Sequence, residues 1–195
     1  MSNLSNGEKM GKLEIESTPF NGAYVICTDA FRDDRGVFAR WFCNYELKAI
    51  MNNEQILNVN FSKTISKGTI RGMHFQYPPN TETKLVRCIR GKILDVIVDI
   101  RKGSPTFLQH YSIELSDENM KMLYVPKGFA HGFQSLEDNS EIMYLVTEYY
   151  SAKNESGLNP TDKTLNIKWP IEITNISSKD KNRPEIDFNF DGIEV

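Results

Sequence analysis

The sequence contains the run Arg71-Gly72-Met73-His74-Phe75-Gln76, followed closely by the charged segment Lys84-Leu85-Val86-Arg87-Cys88-Ile89-Arg90. Histidine is scarce, with three in the whole chain, and His74 lies in an apolar setting three positions after an arginine. Successive side chains of a β-strand point to opposite faces, so a strand here separates Arg71 and Met73 from Gly72 and His74. Each face then holds a polar group that needs a partner if it is buried. The run therefore predicts either a histidine of a functional site or a hydrogen-bonded histidine of the core.

The sequence around this run is typical of short β-strands separated by turns. Strands are predicted at 13–20, 23–28, 37–42, 60–66, 71–76, 84–90, 93–100, 107–115, 122–126 and 142–150, and one short helix at 45–52. Because Gly91 separates two β-rich runs, 84–90 and 93–100 are predicted to form a hairpin. Many short strands with regular turns indicate an all-β, antiparallel sandwich or jelly-roll barrel. Such folds bind ligands between their sheets.

Length and composition limit the classes of protein. The 195 residues suit one domain, 1–195, with an N-terminal arm at 1–19 and a C-terminal extension at 171–195. The net charge of −3 does not indicate nucleic-acid binding, and no apolar run approaches the ~18 residues that span a membrane. The first twelve residues lack the apolar run of a secretion signal, and three cysteines without CxxC spacing indicate no disulfide framework. These features predict a cytoplasmic protein.

Four polar side chains fall on or beside predicted strands and are able to converge in one cavity: His74, Lys84, His131 and Tyr144. A histidine base, a tyrosine acid and a lysine that holds an oxyanion are what proton transfer next to a carbonyl requires. The alternative for each residue is structural, with Lys84 and Arg87 exposed on a strand and Tyr144 in the core. Metal binding is not predicted, since Gln76 stands where a His-x-His pair would need its second histidine.

Motifs along most of the chain carry a family resemblance. They are Arg35-Gly36, Asn60-x-Ser62, Arg71-Gly72-Met73-His74-Phe75-Gln76, Lys84-Leu85-Val86-Arg87, Arg90-Gly91, Asp95-Val96-x-Val98-Asp99-x-Arg101, Ser104-Pro105-Thr106, Pro126-x-Gly128-Phe129-Ala130-His131-Gly132-Phe133, Tyr149-Tyr150, Trp169-Pro170 and Ser178-Lys179-Asp180. From Phe20 to Asp180 the chain resembles the dTDP-4-dehydrorhamnose 3,5-epimerase family of cupin-fold enzymes. The resemblance implies a cupin-type antiparallel jelly-roll barrel with a few short helices.

The resemblance also implies roles for particular residues. His74 corresponds to the base, Asp180 to the carboxylate that orients it, Tyr144 to the general acid and Lys84 to the group that stabilises an enolate. Substrate contacts fall on Arg35, Asn60, Arg71, His131, Tyr149 and Glu155. No cofactor and no metal are implied. The implied partners are a nucleotide-sugar substrate and a second copy of the chain, in a homodimer whose early residues complete the neighbour's active site.

Two departures from the family pattern concern substrate recognition. Arg40 stands where several members have glutamate, and Asn159-Pro160 replaces an arginine and a tryptophan. Three functions therefore stay open. The first is C3 and C5 epimerisation of a nucleotide-linked 4-keto-6-deoxyhexose, the second is epimerisation at only one centre, and the third is sugar-nucleotide binding without turnover.

Overall fold

The structure is a computed structural model that describes residues 12–187 and 189–195. Its strands are β1 (Leu13–Ser17), β2 (Tyr24–Thr28), β3 (Phe31–Asp33), β4 (Gly36–Phe38), β5 (Asn58–Thr64), β6 (Thr69–Gln76), β7 (Lys84–Arg90), β8 (Lys92–Asp99), β9 (His110–Ser116), β10 (Met122–Val125), β11 (Phe129–Ser135), β12 (Ser140–Val146), β13 (Glu155–Gly157) and β14 (Asn175–Ile176). Two four-residue helices are described, α1 (Lys48–Met51) and α2 (Ser178–Lys181). The predicted all-β class is confirmed.

Two large sheets face each other. The first has the order β1-β2-β10-β7-β12-β5, and the second has the order β13-β6-β11-β8-β9, with β14 added beside β6. Every strand pair is antiparallel except β14 with β6. This is the predicted cupin-type jelly roll. No helix in the described part of the chain is long and apolar enough to cross a membrane.

The hairpin predicted at Gly91 is wrong. β7 pairs with β10 and β12 in the first sheet, whereas β8 pairs with β9 and β11 in the second. Gly91, with a φ of 72°, marks the point where the chain passes from one sheet to the other. Both strands are largely buried, so the sequence carries no alternation that would distinguish a hairpin from a change of sheet.

Apolar side chains fill three layers. Between the sheets lie Val25, Val86, Leu123, Ile97, Phe129 and Phe133, with others. The outer face of the first sheet is covered by Leu47, Ile50 and Met51 from α1 and the turn before it. The outer face of the second sheet packs against the late segments of the chain, through Leu158, Leu165 and Ile193. This packing fixes both sheets while leaving space between them for a site.

The chain termini differ in part from the predictions. The predicted arm forms β1 from Leu13 to Ser17, and β1 pairs with β2 of the same chain at an edge of the first sheet. Residues 1–11 of the predicted arm lie outside the described residues. The predicted helix at 45–52 is shorter, as α1, and the predicted strand at 37–42 is reduced to β4, which forms a two-stranded hairpin with β3.

Candidate active site

Two adjoining cavities lie between the sheets. The first has a volume of about 410 Å³ and the second of about 510 Å³. His74, Lys84, Tyr144 and Glu155 line both of them. Since these residues are common to the two cavities, the cavities form one continuous site. His74 belongs to the second sheet and Tyr144 to the first, so the site is lined from both sides.

A β-bulge orients the histidine strand. His131 and Phe133 of β11 lie opposite His74 and Arg71 of β6, with a shift of register between them. Three steps along β6 therefore match two along β11, which is the count of a bulge. Arg71 and His74 consequently line the same cavity. The expectation that strict alternation places them on opposite faces is wrong.

Two glycines make the bulge possible. Gly72 has a φ of 123°, and a Cβ built on it would lie 2.5 Å from the Cα of Gly132. A Cβ on Gly132 would in turn lie 2.8 Å from the Arg71 carbonyl oxygen. Side chains at either position would therefore push the two strands apart. The glycines before His74 and after His131 in the sequence bring both histidine strands together.

His74 forms a dyad with Asp180. Its Nε2 lies 2.7 Å from Asp180 Oδ1, and the side chains are 39% and 6% exposed respectively. Asp180 Oδ2 also accepts a hydrogen bond from the Gly72 N–H, and the Asp180 N–H donates to the Oγ of Ser177, which is the N-cap of α2. Burial acts to raise the pKa of Asp180, but the hydrogen bond and charge of His74, together with the hydrogen bonds of Ser177 and Gly72, outweigh it and lower this pKa. An ionised Asp180 fixes the tautomer of His74 and leaves Nδ1 as the nitrogen not held by the carboxylate.

A second histidine–aspartate pair lies on the neighbouring strands. His131, which faces His74 across the β6–β11 pair, has its Nε2 2.7 Å from Asp95 Oδ1. Asp95 is fully buried, and its Oδ2 has no hydrogen-bond partner among the described residues. His131 lines the first cavity. The sequence singles out His131, whereas it gives Asp95 only as part of a motif.

Tyr144 and Lys84 complete the set of four side chains that the sequence indicated as able to converge in one cavity. Burial and the nearby Glu82 carboxylate raise the pKa of the Tyr144 phenol, against an opposing effect of Arg71. Lys84 Nζ lies 2.9 Å from Glu82 Oε1, and both side chains are nearly buried. The alternative of an exposed Lys84 is therefore wrong. It is also wrong for Arg87, which is buried beneath the Trp41 ring.

The predicted substrate-binding residues divide into two groups. Asn60, Arg71, His131, Tyr149 and Glu155 all line the cavities. Arg35 does not: it lies on the turn between β3 and β4, its side chain is 83% exposed, and it pairs with Asp33 of its own hairpin at 2.6 Å. Within one described chain, Arg35 is therefore separate from the site.

Several lining residues were missed from the sequence. Lys179 and Ser177 line the first cavity, while Glu82 and Glu148 line the second. Lys179 was visible beside Asp180 and Glu82 two positions before Lys84, but neither carries a spacing signal of its own. No group of three or more histidine, cysteine, aspartate or glutamate side chains suited to a metal ion occurs within residues 12–187 and 189–195. That the reaction needs no metal stays a prediction.

Comparisons with known proteins agree with this geometry. The family model described as dTDP-4-dehydrorhamnose 3,5-epimerase matches residues 17–187. The enzyme of that name from Shigella flexneri is 42% identical over 172 residues, which cover 87% of this chain and 94% of the relative. The crystal structure of the Bacillus anthracis epimerase, with TDP and PPi bound, has a TM-score of 0.86 at 41% identity, covering 89% of this chain and 99% of that one. The structure of the epimerase from Legionella pneumophila, in complex with dTDP-4-keto-L-rhamnose, has a TM-score of 0.86 at 34% identity. The match covers 94% of this chain and 99% of that one. The chain therefore belongs to the dTDP-4-dehydrorhamnose 3,5-epimerase family of isomerases.

Proposed function

We propose that the chain epimerises C3 and C5 of a nucleotide-diphosphate-linked 4-keto-6-deoxyhexose, converting dTDP-4-dehydro-6-deoxy-D-glucose to dTDP-4-dehydro-L-rhamnose. The observation that carries the proposal is one continuous site with His74, paired with Asp180 of α2, on one sheet and Tyr144 with Lys84 on the other. Inversion of a carbon requires removal of a proton from one face and delivery of a proton to the opposite face. A base and an acid on opposing sheets suit that requirement.

The proposed reaction proceeds through an enolate without a metal. The 4-keto group acidifies the C–H bonds at C3 and C5, and His74 takes one of these protons. The electron pair of the C–H bond forms a C=C bond while the C4 oxygen becomes an oxyanion beside the Lys84 ammonium. Tyr144 then donates its phenolic proton to the opposite face of the carbon. Solvent restores the proton to Tyr144 and removes it from His74 before the second centre reacts.

Asp180 and Glu82 hold the reacting groups in place. An ionised Asp180 stabilises the imidazolium that forms when His74 takes the proton. Glu82, 2.9 Å from Lys84 Nζ, fixes the ammonium beside the place where the oxyanion develops. The raised pKa of Tyr144 keeps its phenol protonated at neutral pH, as an acid must be.

The proposed substrate carries a diphosphate, and its binding suggests a homodimer with shared sites. The second cavity is lined by Glu82, Glu148 and Glu155, with Lys84 as its one lysine or arginine among the described residues. A nucleotide diphosphate that reaches from the first cavity, beside Arg71 and Lys179, into the second meets more negative than positive charge there and needs a further cation. Arg35 is exposed on a hairpin whose Phe31 and Phe38 are also exposed, which suits insertion into a second copy.

The contacts assigned to Asn60, Arg71, His131, Tyr149 and Glu155, and a cytoplasmic location, stay predictions.

Proton exchange in heavy water tests the proposed reaction. The enzyme is incubated with dTDP-4-dehydro-6-deoxy-D-glucose in D₂O, and the C3 and C5 signals are followed by NMR. Deuterium should enter both positions, and both centres should invert. Incorporation and inversion at one position would assign the chain to single-centre epimerisation instead. Binding of the nucleotide sugar without any exchange would refute catalysis.

A further inference from the structure

The helical turn that carries Asp180 is held by an ionic cluster outside the dyad. Glu155 of β13 accepts from Lys179 Nζ and from Arg183 Nη2, the latter at 3.2 Å. The Glu155 and Arg183 side chains are 15% and 17% exposed, so solvent screens their interaction only partly. Lys179 lies within α2 directly before Asp180, and the Arg183 N–H donates to the Asp180 carbonyl oxygen. The cluster therefore ties both ends of this turn to β13.

The three members of the cluster differ in whether they line the site. Glu155 lines both cavities and Lys179 lines the first, whereas Arg183 lines neither. The Arg183 guanidinium lies instead against Gly157, where a Cβ would come within 3.1 Å of its Nε. Gly157 is the cross-strand neighbour of His74. Arg183 thus packs against β13, the strand next to His74, and does not line the cavities. Any influence it has on the reaction therefore passes through other groups.

Because Glu155 pairs with both Lys179 and Arg183, it keeps one partner when an anion binds to the other. A diphosphate in the cavity competes with Glu155 for the Lys179 ammonium. If Lys179 were the only partner, its movement would leave Glu155 as a nearly buried, unpaired carboxylate facing an anion, which is unfavourable. Arg183 is out of the substrate's reach and continues to pair with Glu155. Burial acts to raise the pKa of Glu155, but the hydrogen bond and charge of Lys179, with the charges of Arg183 and His74, lower it, so the carboxylate stays ionised.

We propose that Arg183 is a positioning residue for the epimerase reaction, acting through Glu155 to hold α2 so that Asp180 stays against His74. This inference rests on the proposed function. It predicts that loss of Arg183 loosens the dyad rather than removing a substrate contact, so that turnover falls while affinity is retained.

A double-mutant cycle tests the proposal. The variants are Arg183→Gln, Glu155→Gln, both together, and Lys181→Gln as a matched control that removes an exposed cation from the same turn. Arg183→Gln should lower kcat about tenfold, with KM changed less than about twofold, because the charge-assisted His74–Asp180 hydrogen bond is weakened but not lost. When Glu155→Gln is already present, Arg183→Gln should lower kcat by less than about twofold. Lys181→Gln should match the wild type.

Amide hydrogen exchange gives a readout that does not depend on activity. The Lys181 and Asn182 N–H groups donate to the carbonyl oxygens of Ser177 and Ser178 within this turn. They should exchange at least about tenfold faster in Arg183→Gln than in the wild type, and adding Arg183→Gln to Glu155→Gln should cause no further increase. If Arg183→Gln does not fold, Arg183→Lys takes its place in the same cycle.

The outcomes separate this proposal from the proposed function. Three results would overturn the positioning role. They are an equal loss of kcat on Arg183→Gln with and without Glu155→Gln, a change confined to KM, and the same loss of kcat in Lys181→Gln. A wild-type protein without epimerase activity would refute the proposed function, while the exchange cycle would still decide whether Arg183 holds the turn through Glu155.

Discussion

Replacement of Tyr144 by phenylalanine separates the acid from the base. Tyr144 and His74 line the same cavities from opposite sheets, so a sugar ring between them presents one face to each. Tyr144→Phe removes the hydroxyl while retaining the ring that packs beside the core between the sheets. On the proposed mechanism, His74 should still remove a proton and return one to the same face. Exchange with solvent should therefore continue in the variant while inversion fails.

The expected magnitude follows from the role of a general acid. Such a group contributes ~10²–10⁴-fold, so inversion should fall by at least ~10²-fold. Exchange at C3 or C5 in D₂O should fall far less, and dTDP affinity should change by less than about twofold. The unfolding free energy should change by about 0.5 kcal/mol or less, since the substitution neither opens a large cavity nor strands a charge. NMR of the same sample measures exchange and inversion together, and calorimetry measures dTDP binding.

Tyr111→Phe is the matched control. Tyr111 is another half-buried tyrosine beside the same core, and burial also raises its pKa, but it lines neither cavity. Its removal should leave exchange and inversion at wild-type rates. Equal loss of exchange and inversion in Tyr144→Phe would refute the acid assignment and indicate a role in positioning the substrate or activating the base.

Four further predictions follow from the site. His74→Asn should retain dTDP binding and lose at least ~10²-fold in turnover; near-normal rates would move the base to His131. Asp180→Asn should lower turnover in the same direction, since the carboxamide no longer holds the imidazolium, while the exposed Asp191→Asn should not; equal effects would refute the dyad. Exhaustive chelation should leave full activity, and loss with EDTA that zinc or iron restores would contradict a metal-free reaction. Arg35→Gln should weaken dTDP binding, and mixing it with His74→Asn should regain activity through hybrid dimers; no recovery on mixing would refute shared sites.

The sequence was informative where the fold repeats a local pattern. β-rich segments and turn residues predicted most of the β-strands. The placement of His74, Lys84, His131 and Tyr144 on or beside strands made them able to converge in one cavity, and all four line the first cavity. Inward-facing positions of neighbouring strands converge on the same space, which explains this success for Lys84 and Tyr144 on the paired strands β7 and β12, whereas His74 lies beside the bulge. Asp180 is different: it lies 106 positions from His74 on a single helical turn. Only the family resemblance indicated it.

Features that depend on register or on a change of sheet were missed. The bulge between Arg71 and His74 is a property of the β6–β11 pair, and neither strand's own sequence specifies which residue is the extra one. Gly91 suits both a hairpin and a passage between sheets, because both need a positive φ. The distinction lies in the partners β9 to β12, which are chosen by long-range packing.

The pairing of charges in the site indicates which cation first meets the substrate phosphates. Lys84 is held by Glu82 and Lys179 by Glu155, so contact with a phosphate requires each lysine to share or leave a carboxylate. Arg71 differs, since its guanidinium donates to neutral acceptors, Thr64 Oγ1 and the Lys63 carbonyl oxygen. Exchange of a neutral acceptor for a phosphate adds charge attraction without stranding an anion. We therefore expect Arg71 to be the first cation of the first cavity to bind the diphosphate, while Lys84 stays beside the carbonyl of the proposed reaction.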